Sequence, residues 1–164
     1  MKGKTTLTNP VIARGRKAEI LLIEDNLGDE LLALRAFKSS KIDYNFRVAG
    51  TAEEALSLLG RLGQHAGQAL PDIILLDLNL PKMSGKTFLA LVKEDPDLNH
   101  IPVVVMTSSE ALIDVKRCRD LHASAYIVKP MDLDAFKEVV ATIEQIYLAP
   151  ARPMLPTAAL VMDS

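Results

Sequence analysis

Asp72-Ile-Ile-Leu-Leu-Asp77 is the stretch that decides the fold of this 164-residue chain. Four consecutive apolar residues, without the alternation of a half-exposed strand, call for burial on both faces, as in a parallel sheet. Ile20-Leu-Leu-Ile23, Val103-Val-Val-Met106 and Ala125-Tyr-Ile-Val128 have the same form. Each run stops at a polar residue: Glu24 and Asp25 after the first, Asp77 after the second, Thr107 after the third and Lys129, backed by Pro130, after the fourth. Ligands of open α/β sheets bind at the carboxyl ends of the strands. Three acids, one hydroxyl and one ammonium are therefore expected in one crevice, a set suited to a divalent cation and a phosphoryl group.

Between these runs lie helical patterns. Strands are predicted over 19–24, 44–49, 72–77, 102–107 and 125–128. Helices are predicted over 28–40, where Leu31, Leu34 and Phe37 repeat at helical spacing, and from a Thr51/Glu54 capping box to about Leu62. Three more are predicted from Ser84 to a stop before Pro96, over 110–121, and from an Asp132 cap to about Tyr147. The glycine-rich stretch 60–71 reads as a long loop. The result is a flavodoxin-like (βα)5 fold, a doubly wound parallel five-stranded sheet in the order 2-1-3-4-5. It forms one domain over 18–148, with a basic arm at 1–17 and a proline-containing tail at 149–164 whose apolar residues either dock or fray.

Composition narrows the function. With 49% hydrophobic and 24% charged residues the chain reads as a soluble globular protein, and 4% aromatic content without tryptophan argues against base-stacking surfaces. Five basic residues and no acid fall in 1–17, which leaves 14 basic against 21 acidic residues on the remainder. That acidic body argues against a nucleic-acid interface, and no apolar run is long enough to cross a membrane. The single cysteine, Cys118, fits a reducing, cytoplasmic setting. Gly85-Lys86-Thr87 lacks the upstream glycine of a phosphate-binding loop, and His65, His100 and His122 are too scattered for a zinc site.

Chemically, Asp25 and Asp77 suit a hard cation, with Glu24 acting directly or through water; solvated acids or helix caps are the plain alternative for any one of them. A carboxylate such as Asp77 can attack phosphorus, provided that Lys129 and Thr107 supply charge and a donor for the phosphoryl oxygens. The Lys129–Pro130 bond is expected to be cis, aiming the lysine inward.

Taken together, Glu24-Asp25, Asp77-Leu-Asn-Leu-Pro81 with Gly85, Thr107-Ser108 and Lys129-Pro130 resemble the motif set of response-regulator receiver domains, over about residues 18–148. The resemblance implies Asp77 as phosphoacceptor and Mg2+ (or Mn2+) held by Glu24, Asp25, Asp77 and the backbone carbonyl of Asn79. It implies Thr107 and Lys129 on the phosphoryl group, Thr107 and Tyr126 as a switch pair, and Asn79 and Ser109 tuning phosphate lifetime. The phrase Asp77-Leu-Asn-Leu-Pro-Lys-Met-Ser-Gly-Lys86 and the long loop after the second helix further resemble small regulators paired with bacterial phytochrome kinases. The implied partners are a sensor histidine kinase, a bacteriophytochrome among them, and a downstream protein or phosphotransfer partner. A second copy through the helix 4–strand 5–helix 5 face is the third. The rival reading is a haloacid-dehalogenase-type Mg-dependent phosphatase, which needs a general acid where Asn79 stands. A flavin module is the third reading, weakened by the lack of aromatic residues near the strand ends other than Tyr126.

Overall fold

The computed structural model describes residues 17–40, 42–60, 70–108, 112–148 and 161–162. Five parallel strands, β1 (Ala18–Ile23), β2 (Tyr44–Ala49), β3 (Ile73–Leu76), β4 (Val103–Thr107) and β5 (Ala125–Val128), stand in the order β2-β1-β3-β4-β5. The helices are α1 (Leu27–Lys38), α2 (Ala52–Leu58), α3 (Gly85–Glu94), α4 (Leu112–Asp120) and α5 (Leu133–Ile143). This is the flavodoxin-like topology expected from the runs. A sixth strand, β6 (Val161–Met162), pairs antiparallel with β5. It answers, for two residues, whether the tail docks.

The continuous apolar runs are explained by two cores. Ile20, Leu22, Ile73, Leu75, Val104, Met106, Ala125 and Ile127 join one buried cluster with α1 and α5. Their neighbours Leu21, Ile23, Ile74, Leu76, Val103, Val105 and Tyr126 join the other, with α2, α3 and α4. Side chains alternate across each strand, so only a strand covered on both faces is apolar throughout.

The structure refines the reading of three helices. In α1 the buried residues are Ala33, Ala36 and Phe37, whereas Leu31 is 51% exposed. Of the three spaced residues Phe37 is buried, Leu34 is half-buried and Leu31 is exposed; Ala33 and Ala36 complete the buried face of α1, which lies against α5. Helix α2 ends at Leu58 rather than Leu62, because Gly60 takes a positive φ of 78° and donates its N–H to the Ser57 carbonyl. Helix α5 gives way at Glu144 to a wide turn running to Leu148, where the Glu144 carboxylate accepts hydroxyl hydrogen bonds from Ser40 and Tyr44. At the same sheet edge, the Phe37 ring meets those of Tyr44 and Phe46 edge-on at 5.0 and 5.1 Å, tying α1 to β2.

Side-chain caps set the helix starts that frame the strand ends. Asn26, Thr51, Ser84 and Asp132 accept from the backbone N–H of Asp29, Glu54, Thr87 and Ala135. At the start of α3, the Gly85 N–H donates to the Leu78 carbonyl at 3.1 Å. A Cβ on Gly85 would lie 2.6 Å from the Asp77 carbonyl oxygen and 2.7 Å from Leu78 Cα, both rigid backbone. Gly85→Ala should thus push α3 off the β3–α3 loop and cost about 1–3 kcal/mol in urea denaturation. An unchanged midpoint would show that the loop yields freely.

Candidate functional site

The strand order places a topological switch point between β1 and β3: the chain leaves β1 toward β2 and leaves β3 toward β4. Glu24 and Asp25 follow β1, and Asp77 follows β3. The Asp77 N–H donates to the Ile23 carbonyl at 3.1 Å, so the register locks the two strand ends side by side. Oxygens of Glu24, Asp25 and Asp77 all lie within 4.8 Å of one another. Glu24 and Asp77 are buried, at 4% and 5% exposure, whereas Asp25 is exposed.

Lys129 enters from β5. Its N–H donates to the Thr107 carbonyl at 2.8 Å, extending the β4–β5 ladder by one step, and its ammonium reaches Glu24 Oε1 at 2.9 Å and Asp77 Oδ2 at 3.1 Å. The described residues contain no cis peptide bond, so the expected cis Lys129–Pro130 bond is trans. The ladder itself aims the lysine, and the trans form keeps its small intrinsic advantage. The ammonium also meets Asp29 Oδ2 at 2.8 Å. Sequence reading missed Asp29, because an acid in the first turn of a helix is ordinary compensation of the helix dipole and carries no site signal.

Asn79 ties the crevice to β4. Its backbone N–H donates to Asp77 Oδ1 at 3.0 Å, and its side-chain amide donates to Thr107 Oγ1 at 3.4 Å. Thr107 itself is fully buried. Tyr126 does not line the crevice; it is 3% exposed within the apolar cluster on the α3/α4 side of the sheet. Ser109 lies outside the described residues.

Three carboxylates thus meet one ammonium, and a fourth, Asp25, clusters with two of them. Leu22, Leu32, Met106, Pro130 and Phe136 line a hollow with Glu24, Asp29 and Lys129, of which Glu24 is the most shielded from water and Asp29 the least. Burial pushes the Glu24 carboxyl up to about 7; the charge of Asp77 adds to the rise, and the Lys129 hydrogen bond opposes it. Burial would lower the Lys129 pKa, but hydrogen bonds to Asp29 and Glu24 and the charge of Asp77 outweigh it, so the ammonium holds its proton more firmly than a free lysine. The donor set is all oxygen and carries excess negative charge, which fits a hard divalent cation rather than zinc or copper.

A glutamate whose folded pKa is raised contributes stability that is complete below its ordinary value near 4.5 and is lost as the pH climbs through about 7. Metal-free protein should lose on the order of 2–3 kcal/mol across that interval. Glu24→Gln, which has no proton to release, should flatten the profile. Thermal melts between about pH 5.5 and about pH 8 compare the two, and parallel profiles would refute the assignment to Glu24.

The profile described as "Response regulator receiver domain" matches residues 20–141. Response regulator Rcp1 of Synechocystis sp. is 38% identical over 129 residues, covering 79% of this chain and 88% of Rcp1. The probable methanogenesis regulatory protein FilR2 of Methanothrix harundinacea is 36% identical, covering 79% and 83%. Among solved structures, the Mn(2+)-bound form of Rcp1 superposes with a TM-score of 0.74 at 36% identity, covering 85% of this chain and 99% of the other. The phosphorylated cyanobacterial phytochrome response regulator RcpA gives 0.77 at 37% identity, covering 86% and 99%. With the 2-1-3-4-5 sheet and an acid crevice at its switch point, the chain belongs to the response regulator receiver domain family.

Proposed function

We propose that this protein is a response regulator whose receiver domain accepts a phosphoryl group from a sensor histidine kinase on Asp77. The observation that carries this reading is the Asp77 carboxylate itself: buried at the switch point, clustered with Glu24 and Asp25, and met by the Lys129 ammonium at 3.1 Å. In the transfer, an Asp77 oxygen forms a bond to phosphorus as the bond from phosphorus to the donor imidazole nitrogen breaks. The Lys129 ammonium attracts the transferring oxygens, and the Thr107 hydroxyl offers them a donor. Glu24, Asp25, Asp77 and the backbone carbonyl of Asn79 would hold Mg2+, or Mn2+, which supplies charge neutralisation to the phosphoryl group. Asn79, two residues after the nucleophile, has no proton to give a leaving group, so the chain acts on itself rather than turning over a small phosphomonoester.

The new dianion would draw Thr107 toward it and let the Tyr126 ring settle behind, changing the surface of α4, β5 and α5. Asn79 and Ser109 would set how long the phosphoryl group survives. The kinase is proposed to be a phytochrome, supported by the likeness to the cyanobacterial phytochrome response regulator RcpA and to the bacteriophytochrome response regulator RtBRR. Output passes to a downstream protein or phosphotransfer partner in the cytoplasm, from a receiver spanning 18–148 between a basic arm and a C-terminal tail. Self-association would use the α4–β5–α5 face, where β6 already pairs with Ala125 and Tyr126 of β5. No described helix is long and apolar enough to cross a membrane.

Asp77→Asn should abolish labelling by a small phosphodonor completely while leaving the circular dichroism unchanged; stoichiometric labelling of the variant would defeat the assignment. Lys129→Ala leaves Glu24 and Asp77 buried without their counter-ion, at a cost of about 2–3 kcal/mol in metal-free buffer. It should still bind Mg2+ yet show no partner response after phosphorylation. A normal response in a pull-down with the kinase or downstream protein would remove Lys129 from the mechanism.

A further inference from the structure

Val161 and Met162 pair antiparallel with β5, Val161 opposite Tyr126 and Met162 opposite Ala125. Without them β5 would be the open edge of the parallel sheet, and Ala125-Tyr-Ile-Val128 has no charge or proline to blunt such an edge. The other edge of β5 is bonded to β4, with Val105 opposite Tyr126 and Thr107 opposite Val128. One residue later Lys129 donates its N–H to the Thr107 carbonyl and sends its ammonium to Asp77. The strand that β6 grips therefore carries, within three residues, both the buried Tyr126 ring and the ammonium of the crevice.

We propose that β6 is a clamp that couples the C-terminal segment to the Asp77 crevice: by pairing with the backbone at Tyr126 it holds β5 in the arrangement in which that ring is buried. The inference rests on the proposed phosphoacceptor reading, in which loading the crevice draws Thr107 forward and favours the buried ring. Clamp and phosphoryl group then stabilise the same arrangement of β5. Linkage makes the effect reciprocal: loading the crevice tightens β6, and losing β6 weakens loading. A two-residue strand makes few hydrogen bonds, so the coupling belongs at the low end of the usual range, about fivefold.

The test uses the full chain, with Mg2+ and beryllofluoride as the phosphoryl mimic, read by hydrogen exchange and by titration. Val161→Pro removes a backbone donor and prevents strand pairing, whereas Val161→Ala keeps the donor. In the parent, the mimic should slow exchange around Asp77 and Thr107 and also across 125–128 and 161–162. Val161→Pro should speed exchange across 125–128 and weaken the apparent affinity for the mimic about fivefold, and Val161→Ala should match the parent. Unchanged exchange across 125–128 in Val161→Pro, or unchanged affinity beside a crevice that still responds, overturns the clamp alone. Equal losses in both variants overturn the backbone pairing as its cause. No response around Asp77 and Thr107 in the parent overturns the phosphoacceptor reading and the clamp with it.

Discussion

A single ammonium set among buried carboxylates organises the functional end of this molecule. Lys129 meets Glu24, Asp29 and Asp77 within 3.1 Å, and two of those three acids are almost fully shielded from water. Charges taken out of water at that density are tolerable only when each has a partner. One cation cannot satisfy four carboxylates, and the raised proton affinity of Glu24 is the sign of that shortfall. A hard divalent cation would relieve it, as would a proton. The crevice is thus strained electrostatically in a way that favours binding a cation.

The fold creates this arrangement through parallelism. Because β1, β3, β4 and β5 all point the same way, the residue after each strand emerges at the same edge. Hydrogen bonds between consecutive strand ends, from Asp77 to Ile23 and from Lys129 to Thr107, carry the sheet ladder up to the reacting groups themselves. Site geometry is in this way an extension of sheet geometry, which is more rigid than any loop. Around it, small features hold the loops back: the Asn26 cap, the Asn79 bridge from Asp77 to Thr107, and the missing side chain at Gly85.

The two edges of the sheet are finished differently. β2 is secured by the aromatic contacts of Phe37, Tyr44 and Phe46 and by the Glu144 carboxylate, far from the crevice. β5 is finished by two residues of the C-terminal tail and lies next to the crevice. Among family members of similar sequence, from Rcp1 to FilR2, the shared core covers about four-fifths of this chain. The family match ends at residue 141, so β6 lies beyond it.

Much of the architecture was legible from hydropathy. Runs such as Ile73-Ile-Leu-Leu76 and Val103-Val-Val-Met106 can be solvated on neither face, so they demand a parallel sheet covered by helices on both sides. Glu24, Asp25, Asp77, Thr107 and Lys129 were legible for the same reason: polarity interrupts burial only where the strands end. Other features follow from packing and distance, which spacing along the chain does not encode. The buried face of α1 is built from Ala33, Ala36 and Phe37, and it lies against α5, whereas Leu31 is exposed. Asp29 joins the crevice because the Lys129 ammonium, a hundred residues away in sequence, lies within hydrogen-bond reach of it. The lysine needs no cis proline because the ladder already aims it. Local chemistry in the sequence determined which residues had to be buried and which could carry charge, while the three-dimensional packing decided which of those charges touch, since Coulomb and hydrogen-bond energies depend on separation in space.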